Sequence, residues 1–507
     1  MKLENIKLPI GANEEELFRL AVKKARLKPS EVKYFKILKK SLDARDKNDI
    51  KYVYGLEISD REETDWEITL PKAKIPKRPV IVGFGPAGMF CALYLARAGY
   101  NPIVIERGLP VDERKKSVNK FINEGKLDEN SNMQFGEGGA GAFSDGKLNT
   151  GVSGAFVRQV LADFKRYGAP PEIEWEAKPH IGSDLLPEVV KNIRKEIEAL
   201  GGKVLFSTKF TGIRAVGGLA MAAVTDKGEV PCDDLILAIG HSARDTFSEI
   251  LSEGIAMEPK AFAIGFRIEH LQEDISVSQY GEKYAHLLPP ADYRLSSRKG
   301  ERGVFTFCMC PGGYVMPSSS EYGGIVTNGM SLYKRDGKNA NSAVLCEVYP
   351  SDFESGVLGG VKLQQKYEEI AYNSGGKNYY APVQKLKDFF EDKTTETLGR
   401  VKPTYPIGYT FANMSSLFTK SVTDNLKSGI KDMGTKLKGF SDDEAILTGV
   451  ETRSSSPVRI LRNANFASLS YPNLYPIGEG CGYAGGITSA AVDGIKAAKI
   501  IAEKYDK

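Results

Sequence analysis

The sequence predicts an α/β fold: a glycine-turned strand-helix-strand unit, interrupted by an inserted mixed β-sheet and preceded by a small α+β module. Three observations predict it. The run Pro79-Val-Ile-Val-Gly83-Phe-Gly85-Pro86-Ala87-Gly88 leads from an apolar strand through a glycine turn into a helical stretch, Met89 to Ala98, and a second strand, Pro102 to Glu106. Apolar strand, turn and helix return at Leu474 to Ile501, whereas between about residues 258 and 400 that pattern stops. Residues 1 to about 70 carry a composition and rhythm of their own.

A chain of 507 residues exceeds the size at which one hydrophobic core stops growing, so two or three domains are expected. Hydrophobic residues make up 41% and charged residues 26%, the balance of a folded, water-soluble chain. The start lacks an apolar signal region and no stretch has the length of a membrane span, so a cytoplasmic location with no membrane partner is expected. Six scattered cysteines do not form a disulfide framework, and reduced thiols are expected. A net charge of +4 is too mild to argue for nucleic acid, and four histidines leave little for a metal site, so none is expected.

In the first module, Asn13 is placed to cap a helix whose first turn holds Glu14, Glu15 and Glu16 and whose apolar spacing is Leu17, Leu20 and Ala21. An extended Ile6 to Ile10 precedes it, and strand-like runs follow at Lys33 to Leu38 and Ile50 to Ile58. Up to residue 55, fourteen Lys and Arg face eight acids, with a cluster at Lys36, Lys39 and Lys40. That surplus is either a solvated face or a surface for an acidic partner or RNA. Pro71 to Arg78 reads as a linker.

The unit at 79–257 carries the strongest motif. In Gly83-x-Gly85-x-x-Gly88 the first glycine suits the tight turn, the second lets backbone approach a pyrophosphate, and the third allows close helix packing. Pro86 and Ala87 open the helix whose N-terminus supplies N–H groups and dipole. Glu106, 18 residues after Gly88, stands where a ribose diol is held, with Arg107 beside it. This is a Rossmann-like fingerprint, and by itself it suits NAD or FAD equally.

Two further segments decide between them. Phe135 to Lys147 carries five glycines, including Gly138 and Gly139, together with Ala140 and Ser144, as expected where backbone lies against a flat ligand; Lys147 adds positive charge for a reduced flavin or bound anion. Leu474-Tyr-Pro-Ile-Gly478-Glu479 runs through more glycines to Gly485-Gly486-Ile487 at the start of an alanine-rich helix, which suits a ribityl chain and pyrophosphate. The strand Asp234 to Gly240 ends in a third turn of the same kind and joins the same sheet. The discontinuous FAD-binding domain therefore takes residues 79–257 and 401–507. The inserted domain takes 258–400, with strand-like runs at Phe262 to Ile268, Gly303 to Cys308 and Gly324 to Val326.

Together these segments resemble the flavoproteins of the glutathione reductase superfamily, with Ala238-Ile239-Gly240 as the middle turn and Gly478-Glu479 in place of the usual Gly-Asp. With Phe307 to Gly313 and Leu447 to Arg459 added, the chain from about residue 80 onward resembles a bacterial family of FAD-dependent dehydrogenases of unassigned substrate. The resemblance implies bound FAD and redox chemistry on a small molecule.

A flavin carries the hydride or electron chemistry, so few catalytic side chains are needed. Arg453, with Glu451 and Arg459, offers guanidiniums to clamp a substrate carboxylate or phosphate, against a structural salt-bridge reading. Cys308 and Cys310 are two apart on a strand and so point to one face, as a redox pair, as packed inert thiols or as metal ligands. His241, after Gly240, is either an acid-base group or a structural histidine. No second glycine fingerprint marks a pyridine nucleotide domain, so NAD(P)H is expected to bind transiently if at all. Two alternatives stand beside the oxidoreductase: an FAD-dependent RNA-modifying enzyme gripping RNA by its basic module, and a flavin-binding sensor or adaptor without turnover.

Overall fold

A computed structural model describes residues 1–61, 67–75 and 77–506. It is a mixed α/β fold of several sheets and helices.

Residues 1–61 form a three-stranded antiparallel sheet in the order Lys2–Pro9, Lys51–Ser59, Tyr34–Asp43, covered by helix Glu14–Ala25. Asn13 caps that helix, its side-chain oxygen accepting the Glu16 N–H at 2.9 Å. The face it buries is Leu17, Ala21, Val22 and Ala25. Leu20, placed on that face by the sequence pattern, is exposed, because the fourth-residue rows from Leu17 and Ala21 already cover the sheet. The module is docked on the rest of the chain. The N–H of Lys40 donates to the Trp175 carbonyl at 2.7 Å, the Ala177 N–H donates to the Lys40 carbonyl at 2.9 Å, and Lys40 Nζ meets Glu176 at 3.0 Å. A second seam packs Ile50 against Tyr284 and Leu288. Lys40 of the expected basic cluster is thus paired internally. The expected linker contains Pro76, and the module's expected end includes 62–66, all outside the described residues. The described linker residues lie along the next domain, with the Ala73 N–H donating to the Ala98 carbonyl at 2.8 Å.

A five-stranded parallel sheet follows, in the order Leu474–Pro476, Asp234–Leu237, Pro79–Val82, Ile103–Ile105, Lys203–Leu205. Its central strands are short, continuous apolar runs because both faces are covered. Helices Pro86–Arg97, Leu186–Ala199 and Ile487–Asp506 cover one face. An antiparallel meander (Phe210–Val216, Leu219–Thr225, Gly228–Pro231) and helix Arg244–Ser252 cover the other.

The remaining sheet is mixed and eight-stranded. Its order is Ser296–Ser297, Val304–Pro317, Asn339–Val348, Phe262–Leu271, Ile446–Glu451, Ala381–Lys385, Tyr409–Phe411, with Thr327–Ser331 paired to Val304–Pro317. Helices Gly359–Ser374 and Lys420–Lys436 pack on it. Two expectations are corrected here. Residues 324–326 precede a strand instead of forming one. The boundary at 400/401 is too early, because helix Lys420–Lys436 and strand Ile446–Glu451 belong to the mixed sheet. A buried run such as Ile446 to Glu451 reads alike in either sheet, and only the glycines after Leu474 mark the return. The chain's two crossings between the sheets, Met257–Pro259 and Val458–Ile460, pair antiparallel side by side. Among the described residues no helix is long and apolar enough to cross a membrane.

Candidate functional site

The three glycines of the first turn do different things. A Cβ on Gly83, whose φ is +100°, would stand 2.6 Å from the Ala238 carbonyl oxygen, and one on Gly88 would stand 2.0 Å from the Gly83 oxygen. Both are required by packing. A Cβ on Gly85 meets only the Gly139 Cα, at 3.9 Å, so Gly85 faces open space over the start of helix Pro86–Arg97. That helix has no side-chain cap, and Pro86 at its first position has no N–H to lose.

Glu106 is buried and accepts three backbone N–H groups, from Phe84, Gly108 and Gly136, each at 2.9 Å. Three of about four lone-pair positions of a carboxylate are then taken. Its first task is to pin the glycine turn to the loop at 136, leaving one position for a ligand hydroxyl. Arg107 is not open toward the glycine turn. It grips Asp245 with both terminal nitrogens (3.0 and 2.8 Å) and stacks 4.3 Å from the Phe135 ring centroid.

The second glycine segment closes over the first. The Gly138 N–H donates to the Phe84 carbonyl at 2.9 Å, a Cβ on Gly139 would stand 3.0 Å from the Gly85 Cα, and one on Gly141 would stand 3.2 Å from Ile487. Ala140 lies in the 3-10 turn Gly139–Phe143, which Ser144 closes by donating to the Gly141 carbonyl at 2.8 Å. A residue with no sequence signal holds this loop. Arg114, one charge among many on helix Val111–Glu124, is fully buried and donates to the carbonyls of Asn132, Glu137 and Gly139 at 2.8, 2.7 and 2.9 Å. Burial brings its pKa down to about 10 against the pull of Glu106 and Glu137. Its other terminal nitrogen has no partner among the described residues.

The third segment lies on both. A Cβ on Gly478 would stand 2.7 Å from Ala87 Cβ, and one on Gly480 would stand 2.0 Å from the Ile239 carbonyl oxygen. The Gly478 N–H donates to Asp493 at 2.8 Å. Asp493 is held by Arg462 at 2.9 and 2.8 Å, and Arg462 is sandwiched between Phe466 and Tyr483. Glu479 stands 3.2 Å from Nδ1 of His241, whose Nε2 is buried with no partner among the described residues. Cβ atoms on Gly240, Gly485 and Gly486 would meet nothing within 4 Å. Ile487 starts the last helix, and Thr488 ties it to the second segment by donating to the Leu148 carbonyl at 2.8 Å. An uncapped helix start, open space over four glycines and two unsatisfied buried nitrogens are what a dinucleotide cofactor with a polar chain requires.

Beyond the glycines stand the cations and thiols. Lys147 Nζ donates to the Met309 carbonyl and lies 3.2 Å from Asp145 and 3.8 Å from Cys310 Sγ. The long strand Val304–Pro317 therefore meets the glycine loop at Lys147. Cys308 and Cys310 do not share a face. Cys308 has φ +44° at a register shift, which breaks the two-residue alternation, so Cys308 is exposed and Cys310 buried. Desolvation by the surrounding protein pushes the Cys308 thiol up to about 12 against the pull of Lys147 and Arg267. As the exposed member of six free cysteines it is expected to be the first alkylated by iodoacetamide under native conditions, with a rate rising about tenfold per pH unit through pH 8 to 10 as thiolate forms. Peptide mapping at several pH values checks this; labelling spread over the buried cysteines counts against it.

Arg453 does not clamp a ligand together with Arg459. Its three guanidinium nitrogens are spent on Glu368 (3.1 and 2.7 Å), Ser242 (3.0 Å) and Ser320 (2.5 Å), all buried, while Arg459 points outward to Glu258 at 3.4 Å. Arg459 is itself part of the crossing strand Val458–Ile460, whereas Arg453 precedes it. Glu451 is likewise occupied, by Arg267.

Residues 261–454 match a family described as "FAD-dependent protein, C-terminal domain-like", a span that coincides with the mixed sheet, and residues 1–59 match a domain of unknown function. An uncharacterised protein of Clostridium beijerinckii is 46% identical over 528 residues, covering 100% of this chain and 99% of that one. Among solved structures, a flavin-dependent brominase aligns over 85% of this chain and 80% of its own at 13% identity (TM-score 0.39). A geranylgeranyl bacteriochlorophyll reductase-like protein from Thermoplasma acidophilum aligns over 85% and 79% at 14% (TM-score 0.37). Overlaps this loose carry no weight for chemistry. The family match and the near full-length relative do: the chain belongs with the clostridial protein to a family of FAD-dependent flavoproteins, and its cofactor is FAD.

Proposed function

We propose that the protein is an FAD-dependent oxidoreductase, a dehydrogenase or reductase of the glutathione reductase-like kind, moving hydride or electrons between the flavin and a small organic substrate. The observation that carries the reading is the stacking of three glycine segments, remote in sequence, on one another: Gly139 on Gly85, Gly478 on Ala87 and Gly480 on Ile239-Gly240. Glycine at each contact brings backbone donors together without side chains between them, which serves a cofactor with two phosphates better than it serves stability.

The chain's own residues divide the work. Gly85 and the start of helix Pro86–Arg97 would receive the pyrophosphate, and Glu106 the ribose hydroxyl through its remaining lone pair. The turn at Gly240 and His241 with Glu479 would face the polar chain that links phosphate to flavin. Gly485, Gly486 and Ile487, with the loop ending at Lys147, would flank the ring. When bound, the flavin supplies the redox chemistry and the protein need only position it and exclude water. The mixed sheet, meeting the glycine loop through Lys147 and Met309, would form the far wall where substrate enters.

Purified protein is expected to be yellow, to release FAD on heating, and to bleach anaerobically with NADH, NADPH or an organic donor. A flavin that no donor or acceptor pair cycles sinks the oxidoreductase reading in favour of a sensor or adaptor.

A further inference from the structure

The N-terminal module has a core of its own, built among the described residues from Leu3 to Ile58, yet it touches both halves of the molecule. On the mixed-sheet side, Lys47 Nζ donates to the Ser278 carbonyl at 2.6 Å and Ile50 packs on Tyr284 and Leu288. On the flavin side, Lys40 lies on strand Tyr34–Asp43, at the edge of the module's sheet, and makes a parallel bridge to the segment 175–177. Its N–H donates to Trp175 at 2.7 Å and its carbonyl accepts from Ala177 at 2.9 Å. A cavity of about 280 Å³, lined by Leu17, Lys40, Tyr54 and Trp175 among others, remains in that seam, so apolar packing does not close it and the polar bridge holds it.

The same segment continues into the cofactor loop. Residues 179–182 pair with the end of the second glycine segment: the Leu148 N–H donates to the Pro179 carbonyl at 2.9 Å, and the N–H groups of Ile181 and Gly182 donate to the carbonyls of Gly146 and Asp145, each at 3.1 Å. Between the two pairings stands only Lys178, and Pro179 beside it has a fixed φ, so little slack separates them. Leu148 in turn accepts from Thr488 at the start of the last helix. The two halves of the glycine loop are therefore anchored differently. Arg114 holds the half at 132–139 from within, whereas the backbone at 145–148 is held by a segment whose far end rests on the module. A loop with five glycines has much conformational entropy to lose on ordering, so anchors at both ends lower the cost of binding FAD. From this continuous path of backbone hydrogen bonds we infer that the N-terminal module is a positioning element of the flavin site, holding the loop at 145–148 through Lys40 and the segment 175–182, a role that rests on the cofactor placement proposed above.

By linkage, a module that favours the FAD-ready loop is itself held more firmly once FAD binds. The test is amide hydrogen exchange on the full chain, with FAD bound and with FAD stripped. FAD is expected to slow exchange at Ala177 as well as at Leu148 and Ile181, roughly fivefold or more, while Cys232, bonded to Met221 in the meander on the other face of the parallel sheet, stays within about twofold. Lys40→Pro removes the donor to Trp175; that N–H points away from the module's own sheet, so a proline at this edge-strand position spares its ladder. In this variant Ala177 and Leu148 are expected to exchange faster and FAD to bind roughly fivefold or more weakly. Slowing by FAD at 83–88 and 145–148 that stops short of Ala177, exchange at Ala177 unchanged by Lys40→Pro, or FAD affinity in that variant within about twofold of wild type would each overturn the inference. FAD that slows none of the glycine segments would instead overturn the cofactor placement, and the module's role with it. The wild-type comparison decides even if the proline variant folds poorly.

Discussion

Replacing Glu368 by Gln is expected to destabilise the protein by about 3 to 5 kcal/mol, the cost of breaking a buried ion pair from one side. Glu368 is 1% exposed and holds two guanidiniums at once: Arg244 at 2.8 and 2.6 Å and Arg453 at 3.1 and 2.7 Å, with the Thr452 hydroxyl at 2.6 Å. Arg244 starts the helix that follows strand Asp234–Leu237 of the parallel sheet, whereas Glu368 sits on helix Gly359–Ser374 of the mixed sheet. The pair is therefore a latch between the two halves of the molecule. A glutamine keeps the shape and one acceptor oxygen but leaves two buried cations with the half-exposed Glu321 as their remaining acid. Denaturant unfolding measures the effect, with the neighbouring exposed Glu369→Gln as a control expected to stay within about 0.5 kcal/mol of wild type. A loss below about 1 kcal/mol for Glu368→Gln would mean that the latch holds nothing.

The same carboxylate sets a pH dependence. Burial alone would raise its pKa, but Arg244 and Arg453 outweigh it and hold the group far below the ordinary carboxylate range. A depressed folded-state pKa contributes stability that is complete above the unfolded value, about 4.3, and is lost as pH falls toward the folded one. Wild-type stability is expected to drop steeply below about pH 4.5, and the Gln variant to show a shallower acid limb. Parallel acid limbs would assign the drop to other carboxylates.

The parts of the fold that were legible are those whose signal is local. Gly83, Gly85 and Gly88 lie within six residues and announce strand, turn and helix together; Asn13 with three glutamates announces a cap. The legible parts of the site are its glycines, because a close backbone approach excludes every other residue type wherever it occurs. What stayed hidden depends on contacts across the chain. Arg114 is one basic residue in an amphipathic helix until the loop at 132–139 folds over it, and Asp493 is a polar interruption in an alanine-rich helix until Gly478 and Arg462 reach it. Arg453 misleads for the same reason: its guanidinium was countable, but Glu368, 85 residues away, was not assignable to it. Cys308 and Cys310 fail differently, since the two-residue alternation of a strand holds only where no bulge intervenes, and Cys308 is itself in the bulge.

The glycine turn permits the sharpest separation of cofactor binding from folding. Gly88→Ala places a methyl group 2.0 Å from the Gly83 carbonyl oxygen, a backbone atom that cannot rotate away, and is expected to cost about 3 kcal/mol of stability whether or not FAD is present. Gly85→Ala places its methyl where only the Gly139 Cα lies within 4 Å, and Gly85 has φ −77°, which alanine adopts freely. In flavin-stripped protein that substitution is expected to cost no more than about 1 kcal/mol, the difference between glycine and alanine at a helix cap. The space it fills is the space the cofactor's phosphates require, so FAD affinity is expected to fall roughly tenfold to a hundredfold. Urea midpoints of the stripped proteins and flavin retained through gel filtration measure the two quantities independently. Gly85→Ala protein that unfolds like wild type and yet releases its FAD places the pyrophosphate over this turn. If it keeps its FAD as wild type does, the phosphates lie elsewhere, and the open space above Gly85 must be assigned to some other ligand.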